Sequence, residues 1–132
     1  MAIRKFSKGL HIALWLTQVL LSVTLVWGAW MKLFQPAEAL SAIWPWTGQV
    51  PPLLVKLTGI ADLLAGVGLV LPALTNIRPA FTFVAAAGVV VLMVCAMVFH
   101  LSRGESPVFN IVFGALAAWV AWGRQEGAAS LC

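Results

Sequence analysis

Four apolar runs, each near the length a helix needs to cross a bilayer, fill most of this chain. They cover roughly residues 10–34, 52–72, 79–101 and 108–123. A helix rises about 1.5 Å per residue, so about 20 apolar residues match a hydrocarbon core about 30 Å thick. A soluble domain of this length would need a charged surface. Here 62% of the 132 residues are hydrophobic and 9% are charged, and the mean hydropathy is +1.00. The expectation is an integral membrane protein in a bacterial inner membrane, all-α, with residues 1–132 as one membrane domain. Its four transmembrane helices form an up-down bundle, because the short turns favour antiparallel neighbours.

The formal charge of +4 and a pI near 9.7 do not point to nucleic acid. The basic residues stand at the ends of apolar runs, without a patch or an RNA-binding motif. They bear on orientation instead. Arg4, Lys5, Lys8, Arg78 and Arg124 fall on the side of the N-terminus, and Lys32, Lys56 and Arg103 on the other. That excess places both termini in the cytoplasm. The basic start and first apolar run resemble a secretory signal, but the run is too long and ends in Trp-Met-Lys-Leu-Phe rather than at a small-residue cleavage site. It reads as a retained helix. Trp15, Trp119 and Trp122 then sit near the inner surface, and Trp27 and Trp30 near the outer one.

Inside the second run stands Asp62, on one stripe with Gly59 and Gly66. A carboxylate at that depth costs about 3 kcal/mol on insertion scales, so it should face protein, and the glycines let another backbone come close. The first helix carries Gln18, Ser22, Leu25, Ala29 and Lys32 within roughly 40° of one direction. The third brings His100 in line with Met93 and Ala96. The fourth aligns Asn110 with Gly114, Ala117 and Ala121, a small-residue stripe suited to packing.

Residues 35–51 form the longest connection. Pro36 opens a short helix, and Trp44-Pro45-Trp46 is too aromatic for a free loop in water, so this interfacial loop is expected to cap one mouth of the bundle. Lys32, His100 and Asn110 lie toward that mouth, with Asp62 deeper. Gln18 and Ser22 are the expected hydrogen-bond partners of Asp62 by level. A Lys32–Asp62 pair requires the lysine to reach down one to two turns. Each residue also has a plainer reading: Lys32 snorkelling to headgroups, His100 as an interfacial histidine, Asp62 in a structural ion pair, Asn110 as a packing or capping amide.

Cys95 and Cys132, 37 positions apart, supply no CxxC and no metal-ligand pattern. Cys95 projects about 140° from His100 and reads as a small buried hydrophobe. No nucleophile–base pair, paired carboxylates or phosphate loop emerges, so no catalytic residue is assigned. What remains is a narrow, partly polar pocket with one acid, one base and one imidazole. Such a pocket suits a lipophilic molecule with a polar head, a quinone or a lipid, or a polar residue of a partner helix.

The chain resembles the DoxX-like family of small four-helix membrane proteins. The resemblance rests on Gly28-Ala29-Trp30-Met31-Lys32-Leu33, on the stretch from Gly59-Ile60-Ala61-Asp62 to Leu71-Pro72, and on Phe99-His100-Leu101-Ser102-Arg103-Gly104-Glu105 with Asn110 and Gly123-Arg124. Where this chain has Asp62 the family often has Glu, one methylene longer. The resemblance implies the four-helix fold. Some relatives are linked to thiosulfate:quinone oxidoreduction or to membrane thiol and oxidative-stress complexes, and more distant ones look like receptor assembly factors. The paired cysteines of a self-contained thiol relay are missing here.

The expected function is therefore a binding or accessory component. Lys32, Asp62 and His100 organise its pocket, Gln18 and Asn110 support it, and Gly59, Gly66 and Gly114 pack the helices. Quinone is the candidate cofactor; the bilayer, a membrane or redox protein and a second copy are the candidate partners. The alternative is the membrane subunit of a quinone-linked sulfur or thiol oxidoreductase.

Overall fold

An apolar run with no water around it must satisfy its backbone groups internally, and the helix does so within one segment. The computed structural model describes residues 8–75 and 80–129. Within them run α1 (Lys8–Phe34), α2 (Ala37–Ile43), α3 (Pro52–Thr75), α4 (Ala80–Ser102) and α5 (Val108–Ala129), with a 3₁₀ turn at Pro45–Gly48 between α2 and α3. Arg4, Lys5, Arg78 and Cys132 lie outside the described residues. Three segments, Lys8–Phe34, Pro52–Pro72 and Ala80–Ser102, are long and apolar enough to cross a membrane, and α5 has a shorter apolar stretch, Val108–Arg124.

Two helix ends differ from the sequence expectation. The second apolar run ends at Pro72, a residue that ordinarily stops a helix, but α3 passes through it to Thr75. Proline removes one backbone donor, and this loss falls in the last turn, where the Thr75 hydroxyl donates to the Leu71 carbonyl at 2.9 Å. The last apolar run ends at Gly123, yet α5 continues to Ala129. The glycine is a contact point: a Cβ built there would stand 2.6 Å from the Leu14 methyls.

The four long helices alternate in direction. Lys32 lies against Gly59 and Ser22 against Gly66, so α1 and α3 run antiparallel. Gly68 meets Ala85 across α3 and α4, and Gly114 meets Met93 across α4 and α5. α1 and α3 approach closely at Gly66, where an added Cβ would come within 2.9 Å of Val26 and 3.2 Å of the Ser22 carbonyl. The most extensive pairings are α1 with α3 and α4 with α5; α3 joins α4, and α1 touches α5 more lightly. Leu21, Leu69, Val89, Phe113, Ala117 and Val120 form the buried centre between the two pairs. Outward, Leu16, Val23, Leu64 and Val98 are exposed, an apolar coat that suits hydrocarbon and not water.

Candidate functional site

Toward the α2 end of the bundle a cavity of about 700 Å³ lies between the two helix pairs. Gly28, Thr58 and Asp62 line one side, Ala96, Phe99 and Phe113 the other, and Trp44-Pro45-Trp46 closes over them. The loop is held by its own turn, in which the buried Thr47 donates to the Trp44 carbonyl at 2.8 Å. Trp44 packs edge-on to Trp27 with ring centroids 5.5 Å apart.

Lys32 turns inward rather than snorkelling. Its Cβ is level with Gly59, one turn above Asp62, and its stem carries Nζ down to within 2.8 Å of Asp62 Oδ2. The side chains are 14% and 9% exposed. Gly28 stands opposite the acid: a Cβ there would lie 3.7 Å from Oδ2, an ordinary contact distance. The ammonium also stands 5.7 Å from the Trp44 ring and 5.6 Å from the Trp46 ring, distances at which an aromatic face attracts a cation.

His100 faces the same cavity, and the turn after α4 gives it a partner. The Glu105 N–H donates to the His100 carbonyl at 2.8 Å, and the Gly104 N–H to the Leu101 carbonyl at 3.1 Å. This is a Schellman ending with Gly104 at φ +74°, a left-handed conformation that favours glycine. It folds Glu105 back so that Oε1 lies 2.9 Å from His100 Nδ1 and 3.0 Å from Arg103 Nε. Hydrogen bonds from His100 and then Arg103 hold the Glu105 carboxyl below its ordinary range. A carboxylate only accepts, so Nδ1 carries the shared proton. Arg103 also donates to Gln49 Oε1, which ties this turn to the Trp loop.

Asn110 is 7% exposed and lines the cavity. Among the described residues no hydrogen bond reaches its side-chain amide, which opens on the cavity, whereas the buried polar atoms left without a partner, Thr82 Oγ1 and Arg124 NH2, lie on residues that do not line it.

Gln18 is elsewhere. It is fully buried at the opposite end, where Nε2 donates to the Leu69 carbonyl at 2.7 Å and Oε1 accepts from Arg124 Nε at 2.8 Å. Ser22 donates to the Gly66 carbonyl at 2.7 Å. Neither touches Asp62, contrary to expectation. The register that sets Lys32 against Gly59 leaves these two residues beside later turns of α3. Cys95 is exposed and borders the cavity rather than lying buried.

Sequence reasoning missed the role of Glu105, the place of Gly28 opposite the acid, and the cover that Trp44 and Trp46 give Lys32. The first had a signal: a glycine four residues after His100, followed at once by an acid, spells a helix ending that returns onto the histidine.

A family model described as the DoxX-like family matches residues 16–122, a span that contains every cavity residue named above. No curated protein and no solved structure matches the chain.

Proposed function

The chain belongs to the DoxX-like family and is an integral membrane protein, and from that premise we propose that it works as a binding or accessory component whose cavity holds a lipophilic ligand. One observation carries the reading. The cavity has a volume in the range of small-molecule sites, largely apolar and aromatic walls, and few polar groups, among them an amide left without a partner. In this reading α5 is the fourth transmembrane span, both termini face the cytoplasm, and the Trp loop lies at the outer surface. The ligand's head meets Lys32, His100 and Asn110, while Asp62 balances the lysine.

The deciding experiment is mass spectrometry of the protein purified in mild detergent, resolving small molecules and co-purifying proteins together. A stoichiometric lipophile that is lost on Asn110→Leu supports the reading. If the molecule is a quinone and a redox protein accompanies it, the chain is instead the membrane subunit of an oxidoreductase. An empty cavity with a stoichiometric membrane client assigns the site to a partner helix.

A further inference from the structure

The charges around the cavity already cancel, and this constrains the head group it accepts. We infer that the ligand is an uncharged lipophile whose head presents a hydrogen-bond-accepting oxygen, a carbonyl or its equivalent; this rests on the reading that the cavity takes a lipophile.

Lys32 and Asp62 neutralise each other at 2.8 Å with little exposure. An anionic head would put a second carboxylate or phosphate on the same ammonium, against Asp62, where screening by water is weak. A cationic head would compete with Lys32 for Asp62 and leave one cation buried without a partner. The second pair offers no unbalanced charge either, because Glu105 is engaged by Arg103 and by His100 Nδ1.

The unused capacity includes donors that no acceptor on the wall reaches, beside the free acceptors Asp62 Oδ1 and Asn110 Oδ1. An ammonium has three N–H groups, and one of those on Lys32 is directed at Asp62 Oδ2. The Trp44 and Trp46 rings attract the charge but accept no conventional hydrogen bond. Asn110 adds two N–H groups with no partner among the described residues, at 7% exposure. An oxygen placed among these donors satisfies them without adding charge. Leu54, Leu92, Phe109 and Phe113 provide apolar wall for the remainder of such a molecule.

Four probes of one chain length separate the cases: a methyl ketone, a carboxylate, a primary amine and a plain hydrocarbon. Each is offered at equal mole fraction in detergent micelles, and the retained adduct is read by native mass spectrometry. The ketone should be retained about tenfold more than the other three, the worth of one or two well-placed hydrogen bonds. Asn110→Leu should bring it down to the hydrocarbon level without lowering the melting temperature. Asn110→Asp, which adds a negative charge, should move the preference toward the amine. Wild-type retention of the carboxylate or the amine at the ketone's level overturns the inference and leaves the lipophile reading standing. So does a ketone preference that survives Asn110→Leu. Retention of none of the four removes the lipophile reading itself.

Discussion

Gln18 and Asn110 are both primary amides buried on inward helix faces, one toward each end of the bundle. At the Gln18 end the amide itself is fully engaged by protein on both its oxygen and its nitrogen, although the neighbouring Arg124 keeps one buried nitrogen, NH2, without a partner among the described residues. Gln18 ties the Leu69 carbonyl to Arg124, Arg124 NH1 donates to His11 Nδ1 at 3.2 Å, and Leu14 packs tightly on Gly123. At the Asn110 end a cavity lies between the helix pairs, ion pairs line its walls, and the amide meets no partner among the described residues. The first end joins α1, α3 and α5 and has the character of a brace. The second keeps its polar capacity unspent, and a structure that had only to be stable would have filled that space with an apolar side chain.

The largest test addresses the pair. Asp62→Leu or Lys32→Met alone leaves a buried charge unmatched and should cost about 3–5 kcal/mol, whereas the two together should recover most of it. Thermal unfolding in detergent of both singles and the double closes the cycle. Additive losses would mean that the two side chains are not coupled.

The contrast between the amides comes next. Gln18→Leu strands the Arg124 Nε–H and removes the side-chain donor from the Leu69 carbonyl, and should cost about 2 kcal/mol, with ligand retention unchanged. Asn110→Leu should leave stability equal or higher and abolish retention. The comparison fails if both variants lose stability alike.

Much of this was legible in the sequence because membrane helices declare themselves by length and polarity. The apolar runs gave the spans now seen as Lys8–Phe34, Pro52–Pro72 and Ala80–Ser102, and the stripes put Lys32, Asp62, His100 and Asn110 on inward faces. Register was not legible. Whether Gln18 reaches Asp62 or Leu69 turns on a shift of about two turns between α1 and α3, which depends on how closely Gly59 and Gly66 let the backbones approach. A stripe fixes direction around a helix and says nothing about height along its neighbour. The same limit separated the two amides, which look alike in a list of polar residues and differ in what stands opposite.

A smaller effect should follow from Gly104→Ala. Its φ of +74° disfavours a Cβ by about 1 kcal/mol, and nothing lies within 4 Å to add a steric clash. The strain should loosen the turn that returns Glu105 to His100. Faster amide hydrogen exchange at Gly104 and Glu105, with α1 and α3 unaffected, is the expected signature. Spread of that exchange to the Gln18 end would show that the two ends are not independent.

Glu105 gives the smallest effect and sharpens the comparison through its pH dependence. Its carboxyl is held below the ordinary value of 4.5 by His100 and Arg103. A carboxyl with a depressed folded pKa binds more protons unfolded than folded, so its stabilisation is present above 4.5 and disappears as the pH falls through the folded value. Wild type should therefore melt above Glu105→Gln at neutral pH, and the gap should close in acid below 4.5. The Gln18 brace contains no carboxylate among its described contacts, so the penalty of Gln18→Leu should persist over the same acid range. A gap for Glu105→Gln that stayed constant into acid would show that the turn depends on the shape of the side chain rather than its charge.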